Sequence, residues 1–246
     1  MSVRDAGNDA YRIREAVFGK DDRVIVPDPR ENPWRKICFL QITMPGVDDI
    51  LKGTGWFAGS KTVITAGHCI YNEAHGWAQN IKIIPGCDGK YYPFNCCDVD
   101  GDGGSFKIMS PWKDDSDKSY DYGAIILPDA QLSTQVGYFG LSSLSDNDLK
   151  NKSVTISGYP YASHNREDRP VGTQWYTEGC LEIDSNFLYY TADTTGGQSG
   201  SPVWYKENNE YYVVGIHTAQ STGSKNEAIR ITREVYDQLR EWGAGE

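Results

Sequence analysis

From Trp34 onward the chain reads as short apolar runs broken by Gly, Pro and Asp. That pattern constrains the fold more than any other feature. In the first half the runs are Ile37 to Ile42, Gly55 to Ala58, Thr62 to Thr65, Ile81 to Ile84 and Phe106 to Met109. In the second half they are Val154 to Ser157, Gln174 to Thr177, Phe187 to Thr191, Pro202 to Tyr205 and Tyr211 to Ile216. Many short strands at such spacing predict an all-β barrel or sandwich. The end of the chain is the exception. Val235, Leu239 and Trp242 fall on one helical face, and Thr232 can cap the first turn, so a short helix is expected over about 232–242. With 246 residues and 12% aromatics there is material for a sizeable core. It suits one compact unit or two small ones sharing a cleft.

Three stretches point to chemistry. Thr194-Thr195-Gly196-Gly197-Gln198-Ser199-Gly200-Ser201-Pro202 sets a serine among glycines. Glycine admits backbone angles closed to other residues, so a tight loop there can aim amide hydrogens and a hydroxyl at one spot. Alone, the stretch reads more readily as an ordinary turn. Val63-Ile64-Thr65-Ala66-Gly67-His68-Cys69 is an apolar β-branched run that delivers a histidine just past its end. Tyr120-Asp121-Tyr122-Gly123-Ala124-Ile125-Ile126-Leu127 places an aspartate at the head of an apolar strand. Serine is a poor nucleophile unless an imidazole takes its proton and a carboxylate orients that imidazole. Asp114, Asp115, Asp117 and Asp129 compete with Asp121 but sit in charged or loop stretches. His75 and His164 lack a comparable setting and read as solvated loop residues.

Together these blocks resemble the signature motifs of chymotrypsin-fold serine proteases, and within them the V8-like glutamyl endopeptidases of bacteria. The resemblance extends to Val154-Thr155-Ile156-Ser157-Gly158-Tyr159-Pro160, Gly172-Thr173-Gln174-Trp175 and Thr232-Arg233-Glu234-Val235, and so spans roughly residues 16 to 243. It implies two six-stranded antiparallel β-barrels, the trypsin-like serine protease fold, with a short C-terminal helix. On this reading residues 1–16 are an extension or propeptide remnant and 17–246 the peptidase domain. Barrel one covers about 24–115 and barrel two about 130–230.

The implied activity is hydrolysis of peptide bonds through an acyl-enzyme, after Glu and less well after Asp. Ser199 is then the nucleophile, His68 the general base and acid, and Asp121 its orienting carboxylate. The backbone amides of Gly197 and Ser199 form the oxyanion hole, while His217 and Thr194 contact the acidic side chain of the substrate. No cofactor or metal is expected. Gln198 stands where trypsin-type enzymes carry the aspartate that pairs with a new amino terminus on zymogen activation. Val17-Phe18-Gly19-Lys20-Asp21-Asp22-Arg23 resembles the family's mature amino terminus, and Glu15 before Ala16 offers a site for self-cleavage. In V8-like relatives that terminus lies by the primary pocket and adds positive charge.

Two rival readings stand beside this one. Asp193 matches the position of trypsin's pocket aspartate, which would select Lys or Arg, or the specificity could be broad. No cysteine lies between 181 and 246 to flank the serine loop as in trypsin, so Asp193 is expected to turn elsewhere. A catalytically silent protease-fold binding module is the rival from another class, and the intact triad argues against it.

The net charge of -10 argues against nucleic acid as a partner, and no stretch is long and apolar enough to span a membrane. The expected partner is a protein or peptide substrate, and the expected state a monomer. Residues 1–20 show no apolar signal-peptide core, so a signal removed ahead of this sequence and an intracellular enzyme both stay open, with secretion the expectation. Cys38, Cys69, Cys87, Cys96, Cys97 and Cys180 allow fifteen complete pairings or stand as free thiols. Many relatives bridge the cysteine after the catalytic histidine to the preceding strand, and that partner is missing from Gly53-Thr54-Gly55-Trp56-Phe57. Asp98-Val99-Asp100-Gly101-Asp102-Gly103 imitates a calcium loop, but Met109 occupies the twelfth position, where a bidentate Glu is needed. An acidic surface turn is expected there.

Overall fold

The computed structural model describes residues 21–101, 104–161, 170–220 and 225–246. The extension at 1–16, Ala16 to Lys20, Asp102, Gly103 and His164 lie outside the described residues.

Two antiparallel sheets curl into the two barrels. The first runs Cys97–Asp100, Asn80–Pro85, Ile37–Thr43, Leu51–Phe57, Thr62–Thr65, Gly123–Ile126 and Phe106–Ile108 from edge to edge. The second runs Val24–Ile25, Trp175–Gly179, Val154–Gly158, Pro202–Glu207, Glu210–Gln220, Asn226–Arg230, Phe187–Tyr190 and Glu182–Ile183. Gly140–Leu141 adds a short parallel pairing to Glu210–Gln220. The seven and nine strands exceed six in each barrel through these short edge pieces. Sheet membership also differs from the expected barrel limits. Gly123–Ile126 pairs with Thr62–Thr65 in the first sheet, and Val24–Ile25 pairs with Tyr176 and Trp175 in the second.

The apolar runs are continuous rather than alternating because both faces of the inner strands are buried. Along Ile37–Thr43, Cys38, Leu40 and Ile42 fill the interior of the first barrel, while Ile37 and Phe39 face the layer shared by the two barrels. Phe57 and Val63 turn inward in the same way, and their neighbours Trp56 and Ile64 turn to the shared layer. In the second barrel Val203, Val214 and Ala228 face inward and Trp204, Val213 and Ile229 face the shared layer. One apolar layer therefore joins the barrels along the cleft.

The helix Arg233–Glu241 closes this layer. Thr232 Oγ1 accepts from Val235 N at 3.3 Å, and Val235 and Leu239 are its buried side chains. Burying each contributes about 1.5–3 kcal/mol. Trp242 stacks toward Tyr122 at 5.8 Å between ring centroids, and its carbonyl accepts from Thr62 Oγ1.

Three stretches depart from the sequence reading. The charged or loop stretch that holds Asp114, Asp115 and Asp117 contains the end of a helix, Ser110–Asp115, and runs into a 3-10 turn, Lys118–Tyr120. Pro111 near the helix start and a left-handed Ser116 at its end define a single short element with no apolar stripe to betray it. Cys97–Asp100 is an edge strand rather than a turn. Val99 points inward while Asp98 and Asp100 point out to Lys82 and Asn80. Asn226–Arg230 begins with polar residues and is nevertheless an inner strand, buried between Glu210–Gln220 and Phe187–Tyr190.

Candidate active site

The register of two first-barrel strands brings His68 to Asp121. Thr65 pairs with Gly123, so the residues just past each strand end face one another. Asp121 lies between the turn Lys118–Tyr120 and the strand, and Gly67–Cys69 forms a single 3-10 turn. Asp121 Oδ1 accepts the backbone N–H of His68 at 2.8 Å, and Oδ2 accepts Nδ1 of the same residue at 2.8 Å. A carboxylate only accepts, so Nδ1 carries the hydrogen and the lone pair of the neutral ring sits on Nε2. Gly67 leaves little room here, since a Cβ would meet Asp121 Oδ1 at 3.0 Å and the indole of Trp112 as closely, and those side chains would have to shift. Burial, the largest single influence, opposes the imidazolium of His68, but the Asp121 carboxylate and Cys69 together outweigh it. The net direction is well above the ordinary histidine value.

Ser199 reaches this spot from the second barrel. Its loop is anchored on Thr54, a residue of the first. Thr54 N donates to Ser199 O at 2.9 Å, and Thr54 Oγ1 donates to Gly197 O at 2.9 Å. The thiol of Cys69, next to His68, lies 3.9 Å from Ser199 O. Ser199 Oγ donates to Thr218 O at 3.4 Å, and both Ser199 and His68 are buried. Gly200 N donates to His217 O, and His217 N donates to Ser201 O, which ties the loop to the strand behind it.

The loop also aims its amides. Gly196 O accepts from Tyr161 N at 2.6 Å, and Gln198 O accepts from Ser201 N at 2.9 Å. In a trans peptide the N–H points opposite the C=O. The N–H groups of Gly197 and Ser199 are therefore turned away from those partners. Gly197 has φ 97° and Gly200 has φ 89°, the left-handed side that glycine adopts without strain.

His217 stands on Glu210–Gln220 just before a bulge: it pairs with Ala228, and Ala219 pairs with Glu227. The extra residue, Thr218, is the one whose carbonyl faces Ser199 Oγ. Bulges re-aim side chains in this way. His217 is fully buried, with Nδ1 2.6 Å from the hydroxyl of Tyr190 and 3.1 Å from the carbonyl of Glu227. Thr194 is also fully buried, and its Oγ1 has no hydrogen-bond partner among the described residues. Burial raises the Glu227 carboxyl above its usual range, against the pull of Lys118 and His217. Asp193 Oδ2 accepts the backbone N–H of Asp22 at 2.9 Å, so this carboxylate is engaged by the amino-terminal segment.

Tyr190, Thr218 and Arg23, whose guanidinium donates to Gln198 and Thr195 of the serine loop, carried no sequence signal of these contacts. Tyr190 sits in an ordinary aromatic strand, and Arg23 in a charged stretch notable only for its likeness to a mature terminus. All six cysteines are thiols, with Cys38, Cys69 and Cys87 buried. Among the described residues no group of three or more His, Cys, Asp or Glu side chains is arranged to hold a metal ion.

A trypsin family model matches residues 30–242. This chain belongs to the trypsin family. Within the trypsin family it is similar to the glutamyl endopeptidase of Bacillus licheniformis, 37% identical over 246 aligned positions, which cover 94% of this chain and 70% of that protein. It is also similar to a Bacillus subtilis protein named an extracellular metalloprotease, 32% identical over 230 positions, 92% of this chain and 69% of that protein. Among solved structures, a Glu endopeptidase in complex with MPD superposes with a TM-score of 0.80 at 26% identity, covering 93% of this chain and 99% of that one. The two-barrel, trypsin-like architecture that the resemblance implied is supported by the family match and by the superposed structure.

Proposed function

We propose that this chain is a serine endopeptidase in which Ser199 Oγ attacks the scissile carbonyl while His68 Nε2 takes its proton. The N–H groups of Gly197 and Ser199 receive the oxyanion, and Asp121 stabilises the imidazolium through its bond to Nδ1. His68 then gives its proton to the leaving amine. Water attacks the acyl-enzyme with His68 as base again, which releases the acid product and restores Ser199. The observation that carries this reading is the pair of hydrogen bonds that His68 donates to Asp121, which fixes the tautomer of a ring beside the serine loop.

The cleavage site is after glutamate, and after aspartate less well. His217 and Thr194 are the pocket donors. With Tyr190 donating to Nδ1, the neutral ring carries its hydrogen on Nε2 and can donate it to a carboxylate, and the hydroxyl of Thr194 gives a second donor. The bond between Asp193 and Asp22 N supports this reading over Lys or Arg selection. The names of the Bacillus licheniformis relative and of the superposed structure agree with it. We read the protein as a secreted monomer acting on protein or peptide substrates, with no nucleic-acid or membrane partner. The name of the Bacillus subtilis relative supports the extracellular setting, and no described helix is long and apolar enough to cross a membrane.

The test pairs labelling with profiling. A fluorophosphonate should label the wild type and not Ser199→Ala, and mass spectrometry of peptide-library products should show cuts after Glu. Cuts after Lys or Arg would overturn the pocket assignment and return Asp193 as selector. An unlabelled wild type would favour the silent binding module.

A further inference from the structure

We infer that Arg23 is a positioning residue for the amides of Gly197 and Ser199, holding the serine loop in its oxyanion-binding shape; the inference rests on the catalytic reading above. The loop must keep two N–H groups aimed at one point, and Gln198 lies between them. The side chain of Gln198 is fully buried. Its Oε1 accepts from Thr195 N at 3.0 Å and from Arg23 Nη1 at 2.9 Å. The same Nη1 donates to Thr195 Oγ1 at 2.5 Å. One guanidinium nitrogen thus joins the start of the loop to its middle, across a sequence separation of 175 residues for Gln198.

The rest of the guanidinium is held from behind. Nε donates to Asp21 Oδ1 at 2.9 Å and Nη2 to Asp21 Oδ2 at 2.8 Å, a fork that fixes the direction of Nη1. The backbone around it is fixed as well. Asp22 N donates to Asp193 Oδ2, Val24–Ile25 pairs with Tyr176 and Trp175, and Val26 N donates to Gln174 O. Arg23 therefore stands immediately before a strand held at the edge of the second sheet.

Stability alone does not account for this arrangement. A buried ion pair gains little over an apolar side chain of similar size, because desolvation offsets the attraction. Gln198 adds a further cost. With both neighbours of Oε1 being donors, its Nε2 is left with no hydrogen-bond partner among the described residues. What the arrangement does supply is a fixed geometry for the peptides on either side of Gln198, and those peptides carry the two amides.

Arg23→Met, which keeps the bulk and removes the fork, tests the inference, with Arg23→Lys beside it. The expected result is a kcat for a glutamyl peptide lowered about 10- to 100-fold with KM within about twofold. Removal of a whole oxyanion donor costs about 10²–10³, which bounds the effect from above. Low-millimolar guanidinium should restore part of the lost kcat in Arg23→Ala, where equal concentrations of NaCl or urea should not. Arg23→Lys should recover little, because an ammonium lacks the fork. Thr195→Val leaves Arg23 and Asp21 paired and guards against a variant that fails to fold; it should lower kcat in the same sense. Unchanged kcat in folded Arg23→Met, or a rise in KM alone, overturns the assignment while normal Ser199 labelling keeps the catalytic reading intact. A wild type that takes no label overturns that reading itself, and the inference with it.

Discussion

Asp121→Asn separates the roles of the two carboxylate oxygens. Both are used by His68, one by its backbone N–H and one by Nδ1, each at 2.8 Å. An amide offers one acceptor and one donor. The backbone N–H can only donate, so the asparagine oxygen must turn to it, and the NH₂ group must face Nδ1. The ring can meet that donor only by carrying its lone pair on Nδ1 and its hydrogen on Nε2. In that tautomer Nε2 cannot accept the proton of Ser199. The equivalent swap in a chymotrypsin triad lowers kcat by about 10⁴. At about 1.36 kcal/mol per decade this is roughly 5.4 kcal/mol of lost transition-state stabilisation. The fold should lose much less, since both hydrogen bonds survive, the one to Nδ1 with donor and acceptor exchanged. The assay is kcat and KM for a glutamyl chromogenic peptide, with Tm as control and ¹⁵N chemical shifts to report which His68 nitrogen bears the hydrogen. A variant within tenfold of wild-type kcat, or one that still carries its hydrogen on Nδ1, would refute the argument.

Two further outcomes follow from the same geometry. The acid limb of kcat/KM should have its midpoint above pH 6.5. The general base must be neutral, and Asp121 raises the His68 value, so activity is lost at a higher pH than for a free histidine; the substrate glutamate, near 4.3, stays ionised throughout. A plateau that persists below pH 6 would contradict this. Thiol titration with an aromatic disulfide should find Cys180 reacting first, since it is exposed. Cys38, Cys69 and Cys87 should react only on unfolding, when six thiols in total appear. Burial pushes Cys87 up to about 12, which keeps it protonated and inert in the folded state. Fewer than six after denaturation would mean a disulfide is present.

Much of this molecule could be read from residues near one another in the chain. The short strands were legible because pleated backbone sends successive side chains to opposite faces. In the inner strands both faces are apolar, which gives runs such as Cys38-Phe39-Leu40 without polar interruption. Thr232 was legible as a cap because its partner, Val235, is three residues away. The His68, Asp121 and Ser199 stretches were legible because each lies at a strand end or in a glycine loop, and those are local patterns. The edge strand Cys97–Asp100 and the inner strand Asn226–Arg230 were not, since their polar residues make sense only against the neighbours that pair with them.

What only the tertiary structure decided are the contacts between distant segments. Tyr190 meets His217 because Phe187–Tyr190 and Glu210–Gln220 flank the same strand. Asp193 is turned to Asp22, and Arg23 to Gln198 and Thr195, because Val24–Ile25 adds itself to the edge of the second sheet. The sequence offered Asp193 two roles and Arg23 none. A charged side chain takes its function from the partner that packing places within about 3 Å, and the chain-order neighbours of Arg23 hold no trace of a loop more than 170 residues away.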